Sequence, residues 1–168
     1  TLQIMPYRVY YFYIIVWLIV HYMIDIVYYL DKNLGLCPVK KYLEKYESEN
    51  ILEEHDDLND GLNRNMRLLF DIKAKIEHVA ENNGFPDGRI SKPMREYNVL
   101  QIRAGKLKKI VIRINYICYK KSLMILLHAY EKPSKYKTKK EKNLVDKELK
   151  KSQLYANKFL KNPNSYEK

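Results

Sequence analysis

The sequence predicts an α+β domain in which an N-terminal strand and a helical hairpin pack on a small antiparallel sheet, followed by a C-terminal helix. Three observations predict this class. Apolar residues at helical spacing precede three runs rich in β-branched and aromatic residues, and a further amphipathic stretch follows those runs. The runs are joined by hairpin-length links, which favour an antiparallel meander. The length of 168 residues suits one core of ordinary size.

The chain opens with an apolar, aromatic segment that spans residues 1–22. The uncharged stretch, residues 9–24, is shorter than the ~20 residues that a membrane-spanning helix needs. We therefore interpret residues 1–22 as an extension upstream of the native protein, which would begin at Met23, with a membrane anchor as the alternative. The domain is expected to cover residues 23–162, and residues 163–168 to form a tail.

The first half of the domain is predicted to hold one strand and two helices. Residues 23–30, MIDIVYYL, have the composition of a strand, and the turn DKNLG follows them. Pro38 suits the first position of a helix with an apolar face. A longer helix follows the acidic segment 47–60 and stops at the sequence NNG, residues 82–84. Its predicted apolar stripe consists of Leu62, Met66, Leu69, Ile72, Ile76 and Val79.

Three strands are predicted after a Gly- and Pro-containing loop, residues 84–93. They cover YNVLQIR (97–103), KIVIRINYICY (109–119) and LMILLHAY (123–130). The last helix is predicted over residues 139–160, where apolar anchors stand among lysines, and Pro163 ends it. The anchors are Leu144, Leu149, Tyr155 and Phe159.

Alternate side chains of a strand lie on the same face of a sheet, so parity sorts the residues of these strands. The apolar face is expected to hold Leu100, Ile102, Ile110, Ile112, Ile114, Tyr116, Leu123, Ile125 and Leu127. The opposite face is expected to hold Gln101, Arg103, Arg113, Asn115, His128 and Tyr130. Where the register between strands permits it, these polar residues share one hollow.

Positive charge is concentrated in the second half of the chain. Residues 1–85 carry a net charge of −4 and residues 86–168 carry +15, within a total of +11. Such a one-sided field attracts polyanions, because phosphate neutralisation by Lys and Arg supplies most non-specific affinity for nucleic acids. An anionic membrane surface would respond to the same field. A solvated lysine-rich surface without a partner is the third interpretation.

The two cysteines, Cys37 and Cys118, have no CxxC pair and no histidine at ligand spacing beside them. The sequence therefore predicts no zinc site. Reduced, packed thiols fit a cytoplasmic setting, and a disulfide between the two is the alternative.

Four segments carry a family resemblance through their order and spacing. The first is the strand and turn followed by CPVKKYLEKY, and the second is the helical hairpin with its Asn-Gly end. The third is VLQIR followed by IRINY, and the fourth is ILLHAYEK before a basic linker and a terminal helix. Together, over roughly residues 23–160, they resemble the RelE superfamily of bacterial toxins, and specifically its HigB-like, phage-derived branch.

This resemblance implies the toxin of a toxin-antitoxin system, an endoribonuclease that cuts mRNA on the translating ribosome without a metal or other cofactor. It also implies a cognate antitoxin that carries a helix-turn-helix domain. The RNA's own 2′-hydroxyl would attack the neighbouring phosphate and leave a cyclic phosphate end. That reaction needs a base at the 2′-oxygen, an acid at the departing 5′-oxygen and fixed positive charge at the phosphate.

The residues of the polar face match these needs. Arg103 and Arg113 carry forked guanidinium groups suited to phosphate oxygens. His128 exchanges protons near neutral pH, and Tyr130 shares its face. Lys132 continues that side into the linker, so these five residues are the predicted catalytic set. The predicted RNA-binding residues are Lys92, Lys106, Lys108, Lys109, Lys135 and Lys137.

Each assignment has a less specific alternative. A lone His at a strand end is often structural, the two arginines suit the solvent face of a half-buried sheet, and the lysines suit a solvated surface. For the whole protein, one alternative is a ParE-like toxin that poisons a DNA-handling enzyme by contact and needs no catalytic groups. The other is a basic RNA-binding or membrane-associated protein.

Overall fold

The computed structural model describes residues 24–48, 58–107, 110–135 and 137–165. The expected extension over residues 1–22 lies outside this part of the chain, as does most of the acidic segment 47–60. The elements in chain order are β1 (Asp25–Tyr28), α1 (Pro38–Ser48), α2 (Leu58–Glu81), β2 (Ser91–Met94), β3 (Val99–Leu107), β4 (Ile110–Tyr119), β5 (Leu123–Pro133) and α3 (Lys139–Lys161), with short 3₁₀ helices at Arg95–Tyr97 and Pro163–Ser165. The α+β class is therefore confirmed.

The five strands form one mixed sheet in the order β1-β5-β4-β3-β2. The predicted meander is confirmed, because β3, β4 and β5 pair antiparallel in sequence order. The expectation of a wholly antiparallel sheet is wrong, because β1 runs parallel to β5, with Asp25 opposite Leu123. The helices between β1 and the meander supply the long connection that a parallel pair requires. Strand β2 was predicted as loop, and its Pro93 is tolerated because β2 is an edge strand.

Helices α1 and α2 pack on one face of the sheet and build the larger apolar core. Ile72, Ile76 and Val79 of the predicted α2 stripe are buried, whereas Met66 is exposed and the side chain of Leu62 lies outside the described residues. Other buried members of this core are Val39, Ile102, Ile112, Ile114, Tyr116, Met124 and Leu126. The face of the sheet that contacts α1 and α2, the hairpin face, is therefore the apolar face of the meander.

Helix α1 is held to β5 by a carboxylate that three side chains share. Glu131 Oε1 accepts hydrogen bonds from Lys45 Nζ at 2.5 Å, from Tyr46 Oη at 3.0 Å and from Tyr42 Oη at 3.3 Å. Burial raises the pKa of Glu131, but these hydrogen bonds outweigh it, and the net shift is downward. The bonds place Glu131 on the hairpin side of β5, and its sequence neighbours Tyr130 and Lys132 on the opposite side.

Helix α3 packs on the other face of the sheet, and its predicted span is confirmed. A capping box starts it, in which Thr138 Oγ1 accepts from Glu141 N and the Glu141 carboxylate accepts from Thr138 N. Leu149, Tyr155 and Phe159 are buried as expected. Leu144 was a wrong anchor, because it is 54% exposed and the next residue, Val145, is buried instead.

A β-bulge overturns part of the parity prediction. Asn115 of β4 lies opposite His128 of β5, whereas Tyr116 lies opposite Leu126, so Leu127 is the extra residue. Leu123, Ile125 and Leu127 were expected on the hairpin face but pack in the α3-side cluster. Beyond the bulge, His128 pairs with Asn115 and Tyr130 pairs with Arg113, so these polar residues share one face as predicted.

Candidate nucleic-acid interface

The strand register places the predicted polar residues in two adjacent rows on the α3 face of the sheet. Arg103 of β3 lies opposite Arg113 of β4, which lies opposite Tyr130 of β5. The next row contains Gln101, Asn115 and His128 in the same strands, with Lys92 of β2 beside Gln101. Paired residues of neighbouring strands share a face. The alignment that sequence alone left open is therefore present.

Three cations of this face lie within electrostatic range of a fourth, Lys92, and we call Lys92, Arg103, Arg113 and Lys132 the basic cluster. Burial lowers the pKa of Lys92, and the positive charges of Arg113, Arg103 and Lys132 lower it further. Like charges gathered in this way repel one another and attract anions. The cluster is thus suited to a phosphate group.

Solvent reaches the members of the basic cluster to different extents. Arg103 is exposed, Lys92 and Lys132 are half-buried, and Arg113 is only 8% exposed. Lys92 also lines a shallow cleft of about 350 Å³ at the sheet edge together with residues 93–97. An anion approaching from solvent would therefore meet Arg103 and the two lysines before it met Arg113.

The predicted acid and base lie on the same face but beneath α3. His128 is 7% exposed and Tyr130 is 4% exposed. Tyr130 packs against Val145 and Leu149 of the helix. The expected hollow that holds both arginines and the histidine is therefore closed at its histidine end by α3, a contact that strand parity could not predict.

His128 is bound directly to the covering helix. Its Nε2 atom lies 2.5 Å from Glu148 Oε2, and its buried Nδ1 atom makes no hydrogen bond to any described residue. Burial lowers the pKa of His128, and the nearby Lys151 charge lowers it further, while Glu148 acts in the opposite direction. The net shift is downward, which favours the neutral imidazole, the form that can accept a proton.

A buried hydrogen-bonded layer joins the sheet to α3. The Gln101 amide donates to Asn115 Oδ1 at 3.0 Å and to Tyr130 Oη at 2.8 Å. Asn115 Nδ2 donates to Ser152 Oγ at 2.7 Å, and Ser152 Oγ donates to the Glu148 carbonyl. These hydrogen bonds link Gln101, Asn115 and Tyr130 of the sheet to Ser152 of α3. Sequence reasoning missed Glu148 and Ser152, although two polar residues four apart on the inner face of an amphipathic helix were a usable signal.

The remaining predicted RNA-binding lysines differ in their placement. Lys106 is exposed and lies opposite Val111, which in turn lies opposite Lys132, so it extends the basic cluster along the same face. Lys135 and Lys137 are exposed in the linker between β5 and α3. Lys108 and Lys109 lie outside the described residues.

Comparison with known proteins does not identify a family for this chain. No protein-family model matches the chain, and no curated protein matches it. Within the described ranges, no group of three or more His, Cys, Asp and Glu side chains is placed to hold a metal ion. None of the described helices is long and apolar enough to cross a membrane. The resemblance to RelE-like toxins stays a prediction from the four sequence segments.

Proposed function

We propose that the chain is a RelE-like toxin, an endoribonuclease that cuts mRNA on the ribosome in the cytoplasm and is neutralised by an antitoxin with a helix-turn-helix domain. One observation carries the proposal. The basic cluster, His128 and Tyr130 occupy adjacent rows on one face of four neighbouring strands, β2 to β5. Fixed cations beside a neutral imidazole are what metal-independent cleavage by the 2′-hydroxyl requires.

In this mechanism the basic cluster binds the scissile phosphodiester. Arg103 and Arg113 donate paired hydrogen bonds to its non-bridging oxygens, and their charge stabilises the extra negative charge of the five-coordinate transition state. Lys92 and Lys132 add positive charge at the same place. These groups keep their charge throughout, so they stabilise the transition state without a proton transfer of their own.

His128 and Tyr130 move the protons. Neutral His128 accepts the proton of the ribose 2′-hydroxyl, and the 2′-oxygen forms a bond to phosphorus while the bond from phosphorus to the 5′-oxygen breaks. Tyr130 donates a proton to the departing 5′-oxygen. The products are a 2′,3′-cyclic phosphate and a free 5′-hydroxyl, so atoms and charge balance without a further reactant.

A second candidate is a protein that binds RNA and does not cut it. The burial of His128 and Tyr130 beneath α3 favours it, because a binding protein needs only the cations that solvent reaches. Arg103, Lys92, Lys106 and Lys132 would then contact phosphates of the backbone, with an affinity that falls steeply as salt rises.

Controlled expression of the chain, followed by primer extension on cellular mRNA, tests the first proposal. Wild-type protein should produce new 5′ ends, and His128→Ala and Arg103→Ala should each reduce their yield by about 10²-fold or more. Arg67→Ala is the matched control, because Arg67 is exposed on α2 across the sheet and its loss changes the net charge equally.

Three outcomes separate the candidates. Cleavage that depends on Arg103 and His128 supports the nuclease. Intact transcripts with arrested growth would remove the nuclease and leave a contact toxin of the ParE kind. Intact transcripts and normal growth, with salt-sensitive RNA binding by the purified protein that depends on Arg103, would leave the binding protein.

A further inference from the structure

Helix α3 is held to the sheet unevenly, and its second part is held more firmly. We call residues 152–161 the anchor segment. Here Phe159 is fully buried and meets Tyr119 edge to face at 5.3 Å, and Tyr155 stacks on Tyr29 at 5.0 Å. An ion pair from Lys158 to the buried carboxylate of Asp31, at 3.4 Å, adds to these contacts. Aromatic side chains bury large apolar areas and contribute strongly to packing energy.

The first part of α3, residues 139–151, is the lid segment. Its buried apolar side chains are Val145 and Leu149, which pack on Tyr130. Met94 and Tyr97 pack on the same small apolar cluster, and the lid segment also makes polar contacts to the sheet side, from Glu148 to His128 and from the Tyr97 hydroxyl to Asp146. Water can replace such hydrogen bonds at little net cost, so opening this segment costs less free energy than opening the anchor segment.

We propose that the lid segment is an inhibitory cover that opens about the anchor segment, and that the RNA backbone is the occupant that replaces it. In the closed form Glu148 occupies His128 Nε2, the atom that would accept the 2′-hydroxyl proton. Opening uncovers His128 and Tyr130 beside the basic cluster. The nature of the occupant rests on the proposed function, whereas the opening itself does not.

Charge makes RNA binding and lid closure compete. A phosphodiester at the basic cluster would lie close to the Glu148 carboxylate, and two negative charges repel each other. RNA therefore binds the open form better and shifts the population towards it. The exposed side of the lid segment carries lysines that would stay near the bound backbone, namely Lys139, Lys140, Lys142, Lys147, Lys150 and Lys151.

Hydrogen exchange followed by mass spectrometry on the whole chain tests the opening. Amides of the lid segment should exchange at least about tenfold faster than those of the anchor segment. Leu149→Ala should accelerate the lid segment by about a further tenfold and leave the anchor segment unchanged, because it removes one of two buried apolar contacts. Leu154→Ala is the matched control, because Leu154 is 52% exposed on the same helix. Equal exchange along α3, or acceleration of both segments together, would overturn the lid.

A short 2′-O-methyl oligonucleotide, which lacks the attacking hydroxyl, tests the occupant. Its binding should accelerate exchange of the lid segment, and Glu148→Gln should tighten that binding by about two- to fivefold. Glu77→Gln, an equal charge change on α2, should leave the affinity unchanged. Slower or unaltered exchange on binding would contradict inhibition by α3. A lid that opens in a protein that leaves mRNA intact would retain this inference and remove the nuclease.

Discussion

Gly84 lies in the turn after α2, where the backbone packs tightly on the sheet. Its φ is +71°, its N–H bonds to the Val79 carbonyl at 2.8 Å, and its carbonyl accepts from Tyr116 Oη at 3.0 Å. A Cβ here would lie 2.2 Å from Cys118 Sγ and 2.9 Å from Ile24 Cδ1. The position therefore requires glycine for both its backbone angle and its lack of a side chain.

Gly84→Ala should lower the free energy of unfolding by about 2 to 5 kcal/mol, from left-handed strain together with overpacking. Urea denaturation followed by circular dichroism measures it. Gly88→Ala is the control, because Gly88 has φ +78° but no atom near its Cβ position, so it should lose only about 1 to 2 kcal/mol of strain. Equal losses in the two variants would show that the contact with Cys118 carries no energy.

At the residue scale, the sequence predicted what local rules decide. The Asn-Asn-Gly stop of α2 and the burial of Ile72 and Ile76 follow from capping and periodicity. The partner of His128 could not be predicted in the same way, because Glu148 stands 20 positions away in another element and only the packing of α3 brings it near. A contact of this kind depends on tertiary geometry that a single sequence does not encode locally.

At the element scale, α3 is the part whose stability should differ most along its length. The capping box at Thr138 satisfies backbone donors at the start of the lid segment, and it lies far from the aromatic contacts of the anchor segment. If the lid segment opens separately, a weaker cap should lower the stability of the lid segment before that of the rest of the domain. Stability of the first turns would then be decoupled from that of the whole domain.

Thr138→Ala should remove about 1 kcal/mol of cap energy, which corresponds to roughly fivefold faster exchange of the lid-segment amides. The urea midpoint of the whole chain should change little. Thr138→Ser keeps the capping hydroxyl and should behave like the wild type. A fall in the urea midpoint with no local acceleration of exchange would mean that α3 unfolds only with the rest of the domain.

The sequence predicted the spans of the strands and helices better than it predicted the face of the sheet on which each side chain lies. The strands of the meander and the span of α3 follow from composition, turn residues and caps. The side of the sheet on which Ile125 and Leu127 lie does not, because the bulge at Leu127 depends on pairing between β4 and β5. Strict alternation succeeded for Arg103 and Arg113, because β3 and β4 pair without interruption from Leu100 to Arg103 and their bulge comes only after Arg103.

At the scale of the whole molecule, charge and topology act together. Residues 86–168, which contain the meander and α3, carry a net charge of +15, whereas residues 1–85 carry −4. The mixed sheet places α1 and α2 on one face and leaves the other for the basic cluster and α3. Composition predicted the charge asymmetry, but the four cations of the basic cluster come together only in the folded chain.

The chemistry of the cut RNA ends is the most direct test of the central claim, that the basic cluster and His128 promote attack by the 2′-hydroxyl. Purified protein acting on ribosomes that translate a defined mRNA should leave a 2′,3′-cyclic phosphate upstream of the cut and a 5′-hydroxyl downstream, and a single 2′-deoxy substitution at the cut nucleotide should abolish cleavage at that position. Cleavage that survives the 2′-deoxy substitution, or that leaves a 3′-hydroxyl and a 5′-phosphate, would contradict the claim.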